Sequence, residues 1–324
     1  MLIDNYHRQI DYLRLSITDM CNLRCLYCRP FEEIGKKSHF EVLRYEEIVR
    51  IASLMVRLGV KKIRITGGEP LIKRDVNHLI EKLFRIEGLE DLALTTNGTL
   101  LAQSAPLLKQ AGLKRVNISL DSLDEQRYTL ITGGGNLKAV LSGIDAALRA
   151  NLKPVKVNMV VMNGINADEV EDFAWLTLDR ALEVRFIEFM PIGRQDKLEW
   201  QREYLPNWVV KERLARYFHL VPAKVEAGNG PAEYYQIKGA CGKLGFISSI
   251  SDHFCQRCNR LRLTPDGHLR VCLGQTTEFD LKGPLREGAS DNELTQIIIQ
   301  AIKSKPISGN FNLKGNRQMV AIGG

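Results

Sequence analysis

Short segments of β-like composition alternate with amphipathic stretches of helical periodicity between residues 12 and 190. The stretch 45–58, for example, repeats apolar residues at helical spacing and is followed by Gly59, a residue type common at helix C-termini. Such repeated strand–helix units predict a parallel sheet covered by helices, either an open doubly wound sheet or a partial barrel. The predicted strands span residues 12–18, 62–66, 91–96, 115–120, 155–161 and 183–189, and the predicted helices span residues 45–58, 76–86, 100–111, 137–150 and 167–180.

Within these strands apolar and polar residues alternate with period two, so each strand has one apolar and one polar face. A sheet buried on both faces would show unbroken apolar runs, and a solvated antiparallel sheet would not need the intervening helices. We therefore expect a partial barrel with an open, polar and cationic interior suited to a polyanion. The residues predicted to face this interior are Arg14, Ser16, Lys62, Arg64, Thr66, Thr95, Asn117, Ser119, Lys156, Asn158 and Arg185.

Composition supports a folded protein with an anionic partner. The chain has 324 residues, of which 44% are hydrophobic, and 45 basic against 38 acidic residues give a net charge of +7. That charge suits nucleic acid, phosphate esters or a membrane surface without choosing among them. The first ten residues lack the apolar core of a signal peptide, and no apolar run is long enough to span a membrane. We expect a cytoplasmic protein with no membrane partner.

The composition changes after Met190, where a charged, loop-like stretch begins. We predict one unit over residues 1–190 and a second over residues 191–324. The second unit should contain helices near residues 207–220 and 293–303 and end in a glycine-containing tail.

The seven cysteines form two groups of three and one singleton, Cys241. Without a signal peptide, this clustering indicates metal binding rather than disulfides. Cys241 has no partner in either spacing, so we expect a buried or incidental thiol without a ligand role.

The first group, Cys21-x3-Cys25-x2-Cys28, directly follows the first predicted strand. Three thiolates leave one iron of a four-iron cluster open to bind a substrate. A zinc site completed by His7 or His39 is the alternative.

The second group is Cys255-x2-Cys258-x13-Cys272. Its spacing alone slightly favours zinc, with His253 or His268 as the fourth ligand. Arg260 and Arg262 share one side of a strand-like run between these cysteines, with Leu261 and Leu263 opposite. Arginine suits phosphate because its guanidinium binds pairs of oxygens.

The aromatic Tyr27 before the third cysteine and the turn Thr66-Gly67-Gly68-Glu69-Pro70 after the second strand resemble the radical S-adenosylmethionine (SAM) superfamily. The resemblance implies an α/β fold, a partial (βα)6 TIM-like barrel with a C-terminal cluster-binding extension. It also implies a [4Fe-4S] cluster on Cys21, Cys25 and Cys28, whose open iron binds SAM.

With the second cysteine group, the Asn259–Leu263 segment and the terminal Gly-Gly, the chain resembles the GTP 3′,8-cyclase family of molybdenum cofactor biosynthesis from residue 12 to residue 324. This resemblance implies a lyase that uses a second [4Fe-4S] cluster, on Cys255, Cys258 and Cys272, to contact the guanine of GTP. It also implies SAM contacts at Tyr27, Gly68, Ser119 and Met190, GTP contacts at Arg14, Arg64, Thr95, Lys156, Arg260 and Arg262, further triphosphate contacts at Lys62 and Arg185, and a catalytic tail containing Gly323 and Gly324.

In such an enzyme a 5′-deoxyadenosyl radical from SAM takes the C3′ hydrogen of GTP, and the product is 3′,8-cyclo-7,8-dihydro-GTP. The resemblance implies an external one-electron donor such as a flavodoxin or ferredoxin, and we expect a monomer or a homodimer. Two alternatives are a peptide-modifying radical SAM enzyme and a zinc-stabilised nucleic-acid-binding protein. The cationic interior argues against a peptide, and the distribution of basic residues over interior strand faces argues against a nucleic-acid partner.

Overall fold

A computed structural model of the protein describes residues 1–28, 40–192, 197–224, 230–309 and 316–323. From Tyr12 to Glu188 the chain alternates strands and helices, which confirms the predicted βα pattern. The strands are β1 (Tyr12–Ser16), β2 (Lys62–Thr66), β3 (Asp91–Thr96), β4 (Arg115–Ser119), β5 (Val155–Val161) and β6 (Leu182–Glu188). The helices are α1 (Tyr45–Arg57), α2 (Val76–Phe84), α3 (Leu101–Gln110), α4 (Glu125–Thr132), α5 (Leu137–Arg149) and α6 (Val170–Asp179).

The remaining chain adds helices and strands to the same sheet. The helices are α7 (Lys197–Glu203), α8 (Asn207–Ala215), α9 (Lys282–Arg286), α10 (Asp291–Lys303) and α11 (Met319–Ile322). The strands are β7 (Leu220–Pro222), β8 (Glu233–Ile237), β9 (Lys243–Ile247), β10 (Arg260–Leu263), β11 (His268–Arg270) and β12 (Phe279–Asp280).

All twelve strands form one sheet in the order β12-β11-β10-β1-β2-β3-β4-β5-β6-β9-β8-β7. The strands β1 to β6 pair in parallel with their chain neighbours, as expected for a partial barrel. β10 adds in parallel beside β1, and β9 adds in parallel beside β6. The C-terminal region therefore extends both edges of the barrel sheet, while a boundary between two units at residue 190 stays a prediction.

The sequence pattern misplaced the ends of several helices and strands, and it missed one helix. The first strand ends at Ser16, two residues earlier than predicted, and the segment 207–220 is helical only to Ala215, after which Leu220 begins β7. The helix α4 escaped prediction because half of its residues are exposed and only Tyr128, Ile131 and Thr132 are buried, which leaves too few apolar positions for a helical period.

The apolar strand faces pack against the helices, as the alternation predicts. Leu13, Leu15, Ile63, Ile65 and Leu94 are fully buried in one large core cluster that includes residues of α1 to α6. The polar faces are thereby left to line the other side of the sheet, which we call the barrel interior.

The loops that follow the carboxyl ends of β1, β2, β4 and β6 share one edge of the barrel because these strands are parallel. Both the first cysteine group and the glycine-rich turn lie in these loops. No helix in the described part of the chain has the length and apolar character needed to cross a membrane.

Candidate active site

The loop after β1, residues 17–28, carries the first cysteine group and rests on the glycine-rich turn after β2. The backbone N–H of Gly68 donates to the Thr18 carbonyl at 2.7 Å, and the N–H of Glu69 donates to the Met20 carbonyl at 2.8 Å. A Cβ atom on Gly68 would lie 2.2 Å from that Met20 oxygen. Glycine is therefore required here because the two backbones approach too closely for any side chain.

The same turn places a buried carboxylate between strand ends. Glu69 accepts hydrogen bonds from the Thr96 hydroxyl at 2.8 Å, from the Asn97 N–H at 2.6 Å and from the Leu71 N–H at 2.9 Å. Burial raises the pKa of Glu69 to about 7 despite these donors. The carboxylate thus joins the loops after β2 and β3 beneath the cysteine loop.

The helix α4 holds the other side of the cysteine loop. The N–H groups of Arg24 and Leu26 donate to the carbonyls of Thr132 and Ile131 at 2.8 and 3.0 Å. The Tyr27 hydroxyl donates to Asp121 at 2.7 Å, just after β4. The loop is therefore fixed on three sides.

The thiols of Cys21, Cys25 and Cys28 are partly buried and close enough to interact electrostatically. Burial, followed by the nearby Cys28, Asp121 and Cys21, raises the pKa of the Cys25 thiol well above its ordinary value. Neighbouring thiolates repel one another, so these thiols keep their protons unless a metal centre balances the negative charge. This donor set therefore fits an iron–sulfur cluster.

The second cysteine group lies at the opposite end of β1 from the first group. Cys255 lies within the short 3-10 turn Phe254–Arg257, Cys258 directly follows that turn, and Cys272 follows β11. The N–H of Gly309 lies 3.4 Å from the Cys255 sulfur, and the Arg260 guanidinium lies 3.8 Å from the Cys258 sulfur. Residues from three separate chain segments therefore meet at this group.

Cations surround these thiols. Burial raises the pKa of the Cys258 thiol, but Arg260 and Lys305 outweigh burial and hold it at about 6. The Lys305 ammonium donates to the Arg260 carbonyl at 2.9 Å, and Arg8 donates to the Cys255 carbonyl at 2.7 Å. A site that favours thiolates in this way suits soft-metal ligation. Within the described residues, no group of three or more His, Cys, Asp or Glu side chains meets around a single ion position.

Arginines form a row across the barrel interior. Arg262 of β10 lies directly opposite Arg14 of β1, and Arg14 lies opposite Arg64 of β2. Neighbouring strands are about 4.8 Å apart, so these three like charges are close together. Burial, and then Arg14 and Arg260, lower the pKa of Arg262 well below its usual range. We call Arg14, Arg64, Arg260 and Arg262 the arginine group.

Within the described residues, Arg64, Arg260 and Arg262 make no salt bridge to a carboxylate. Arg64 instead lies 5.4 Å from the ring centroid of Tyr12, and the buried Thr95 hydroxyl has no hydrogen-bond partner in the described part of the chain. Buried and half-buried cations without a carboxylate partner favour an anionic ligand.

Other interior cations are already paired. The Lys62 ammonium lies 3.5 Å from Asp91, which also accepts from Arg115 at 2.9 Å. Lys156 pairs with Glu183 and contacts the Tyr234 hydroxyl at 3.1 Å. These cations are therefore partly neutralised, unlike Arg64, Arg260 and Arg262.

Arg185 has polar rather than charged partners. Its guanidinium donates to Asn158 at 2.8 Å and to Asn117 at 2.7 Å. This contact confirms that the three residues share the interior face predicted by the alternation.

The C-terminal tail reaches the same interior. The Gly323 carbonyl accepts from Arg262 at 2.9 Å and from Arg14 at 3.4 Å. Gly323 has a φ of +73°, and a Cβ there would lie 2.8 Å from the Ser16 Cβ. Gly323 therefore lies in the barrel interior, its catalytic role stays a prediction, and Gly324 lies outside the described residues.

Ser119 ends β4 and Met190 follows β6, and both are partly buried near the edge where the strands end. Cys241 is exposed in a surface turn before β9, which excludes a buried thiol and leaves the other expectation, an incidental one.

Sequence reasoning missed four carboxylates, Asp91, Asp121, Glu183 and Glu188. Asp91 and Glu183 lie on the polar strand faces, so the same alternation could have found them. Asp121 directly follows the end of β4, and Glu188 ends β6, positions where α/β folds collect functional groups.

Glu188 links the barrel to the second cysteine group. Its carboxylate accepts from the N–H groups of Asn207, Ile250 and Ser251 at 2.9, 2.7 and 2.9 Å. Ser251 begins the segment that leads to Cys255.

The sequence of the chain is similar to two families of known proteins. The family model "Radical SAM superfamily" matches residues 15–176, and "Molybdenum Cofactor Synthesis C" matches residues 182–311. The chain is 51% identical to the GTP 3′,8-cyclase of Pelotomaculum thermopropionicum and 50% identical to that of Thermodesulfovibrio yellowstonii, each over 99% of both chains. The chain belongs to the GTP 3′,8-cyclase family.

Solved structures agree on the fold. The structure of Streptococcus suis SuiB bound to S-adenosylmethionine matches with a TM-score of 0.60 and 13% identity, over 91% of this chain and 68% of that chain. The structure of SuiB bound to its precursor peptide SuiA matches with a TM-score of 0.59 and 14% identity, over 93% and 66%. At such low identity the likeness shows the fold alone.

As a GTP 3′,8-cyclase family member with the radical SAM domain, the protein uses SAM and a [4Fe-4S] cluster. The cysteine loop after β1 offers three thiols for that cluster. The family match leaves no support for a zinc-stabilised nucleic-acid-binding protein.

Proposed function

We propose that the protein is a radical SAM GTP 3′,8-cyclase, a lyase that converts GTP to 3′,8-cyclo-7,8-dihydro-GTP in the first step of molybdenum cofactor biosynthesis. The structural observation that carries this proposal is the row formed by Arg262, Arg14 and Arg64 in the barrel interior. Three adjacent guanidinium groups, one buried and two half-buried, suit a triphosphate better than a peptide or an uncharged substrate.

We assign the first cluster to Cys21, Cys25 and Cys28, and SAM contacts to Tyr27, Gly68, Ser119 and Met190. Bound there, the cluster and SAM would supply the electron and the 5′-deoxyadenosyl radical that removes the ribose C3′ hydrogen. Support for these positions comes from the glycine turn that carries the cysteine loop and from the Tyr27 contact with Asp121. Rigid placement matters because a radical must meet its target hydrogen at close range.

We assign GTP to the other side of the interior. The arginine group holds the triphosphate, with Lys62, Lys156 and Arg185 as further cations and Thr95 as a hydrogen-bond partner. Loss of one hydrogen atom from C3′, bonding of C3′ to C8 and gain of one electron and one proton make the product an isomer of GTP.

We assign a second [4Fe-4S] cluster to Cys255, Cys258 and Cys272, with the guanine as the ligand of its open iron. The cationic surroundings of Cys258 favour the thiolate form of this ligand. Because Arg260 contacts the Cys258 sulfur and belongs to the arginine group, this cluster would lie next to the bound nucleotide.

The proposal extends to partners. The electron comes from an external donor such as a flavodoxin or ferredoxin, and clusters with an open iron require a reducing cytoplasm. The Gly323–Gly324 tail supports catalysis from within the interior, where Gly323 contacts Arg262. The protein acts as a monomer or a homodimer.

The test is anaerobic incubation of the reconstituted protein with SAM, dithionite and each nucleoside triphosphate in turn. Among the four nucleotides, only GTP should give a product that is an isomer of the substrate and separates from it by chromatography. Methionine and 5′-deoxyadenosine should form in equal amounts in the same reaction. Deoxyadenosine formed at the same rate without GTP, and no isomer with it, would refute the assigned substrate.

A further inference from the structure

The C-terminal tail is anchored before it enters the barrel. Arg317 donates to both carboxylate oxygens of Asp266, at 3.0 and 2.8 Å, and also pairs with Glu278. The preceding Asn316 accepts from Arg270 at 2.8 Å and donates to the Leu273 carbonyl at 3.2 Å.

The base of this anchor is a buried arginine paired with a carboxylate. Arg270 is 1% exposed and donates to Glu278 at 2.6 Å, so Glu278 bridges two arginines. Asp266 lies in the turn between β10 and β11. Ion pairs that also form paired hydrogen bonds, as Arg317 does with Asp266, hold a defined geometry better than single exposed pairs.

The anchor and its target belong to one hairpin. β10 carries Arg262, and β11 ends at Arg270, two residues before Cys272. The hairpin therefore fixes the distance between the point where the tail is held and the point where Gly323 meets Arg262.

A single helical turn, α11, spans the interval from Arg317 to Gly323. Val320 and Ile322 within it are each 1% exposed. One residue of helix advances the chain by about 1.5 Å. A slip of one residue toward the barrel would bring the Ile322 side chain to the position where even a Cβ on Gly323 would meet Ser16.

We infer that the salt bridges of Arg317 to Asp266 and Glu278 set the register of the tail, and that Arg317 is thereby a positioning residue for turnover. The contact that this register protects is the hydrogen bond from Arg262 to the Gly323 carbonyl. The inference rests on the proposed function, because only there does the tail take part in cyclisation.

The test uses Arg317→Gln, with Arg317→Lys as the conservative variant, in the anaerobically reconstituted enzyme. The control is Arg57→Gln, which removes an exposed ion pair between Arg57 and Asp291. Hydrogen–deuterium exchange of the C-terminal peptide is measured beside the rates of cyclised product and deoxyadenosine, and circular dichroism checks folding.

In Arg317→Gln we expect the C-terminal peptide to exchange at least tenfold faster and cyclised product to form at least tenfold more slowly. SAM cleavage should stay within twofold of the wild-type rate, since the cysteine loop is untouched. Arg317→Lys should recover part of both losses, because an ammonium replaces the charge but not the paired hydrogen bonds.

Unchanged exchange in a folded Arg317→Gln variant would overturn the inference and show that burial of Val320 and Ile322 suffices to hold the tail. A wild-type enzyme that forms no cyclised product would instead count against the proposed function. The exchange measurement would still decide whether Arg317 anchors the tail.

Discussion

The Tyr27 hydroxyl donates a hydrogen bond of 2.7 Å to Asp121, a carboxylate that is only 2% exposed. The other carboxylate oxygen accepts from the Val160 N–H at 2.8 Å. Burial raises the pKa of Asp121 to about 6, against the effect of both donors. The pair joins the cysteine loop to the ends of β4 and β5.

Replacing Tyr27 by Phe should leave one buried oxygen of Asp121 without its donor. The unfolding free energy should fall by about 1–3 kcal/mol, as measured by anaerobic denaturant titration. Tyr45→Phe is the control, since its hydroxyl donates at 2.8 Å to the Arg74 carbonyl at an exposed site. Equal effects of the two changes would contradict the structural role given to Tyr27.

Gly68→Ala should displace the cysteine loop, because the new Cβ would lie 2.2 Å from the Met20 carbonyl oxygen. We expect SAM cleavage to fall at least tenfold while the circular dichroism spectrum stays unchanged. Gly230→Ala is the matched control, since a Cβ there meets no described atom within 4 Å. Normal SAM cleavage by Gly68→Ala would show that the loop can move without consequence.

The barrel was predictable because its signals are local. Each strand alternates apolar and polar residues, and this period two already assigns Arg14, Lys156 and Arg185 to the interior. The helix α4 was not predictable in this way, because its stability comes from tertiary packing of a few residues rather than from a continuous apolar face.

The ion pairs between interior charges could also not be predicted from the sequence. Lys156 and Glu183 are distant in the chain and meet only because β5 and β6 pair in register. Likewise, nothing local connects Arg317 with Asp266, since a salt bridge across such a separation depends on how the tail folds back. Spacing reveals the groups that act together within one loop, but not those that the topology brings together.

The two cysteine groups should differ in what they support. Cys25→Ser should abolish deoxyadenosine formation, whereas Cys258→Ser should lose cyclised product but retain some SAM cleavage. Each variant should lose about half of the iron if each group holds one four-iron cluster.

Cys241→Ser is the control for both, because Cys241 is an exposed thiol outside either group. It should leave iron content and both products unchanged. Total loss of SAM cleavage in Cys25→Ser and Cys258→Ser alike, with folding intact, would contradict the assigned division of roles.

Lys156 should make GTP binding depend on pH. Burial, and then the neighbouring Arg185, lower the pKa of Lys156 from 10.5 to about 7, although Glu183 opposes this shift. The ammonium is therefore charged below pH 7 and becomes neutral as the pH rises. If the charged form alone binds the triphosphate, KM for GTP should rise about fivefold between pH 7 and pH 8.

Lys156→Arg separates this titration from that of GTP itself. A guanidinium keeps its proton throughout the range, so the pH dependence of KM due to residue 156 should disappear. KM for SAM should show no corresponding change in either protein. The same rise in KM for GTP in both proteins would rule out Lys156 as its source.

The central claim is that a radical generated at the cysteine loop takes hydrogen from the ribose of a nucleotide held by the arginine group. Anaerobic incubation with SAM, a strong reductant and GTP deuterated at C3′, followed by mass analysis of the deoxyadenosine, tests it most directly. We predict deoxyadenosine that carries one deuterium. Deoxyadenosine without deuterium would contradict the account and point to a different substrate or a different hydrogen.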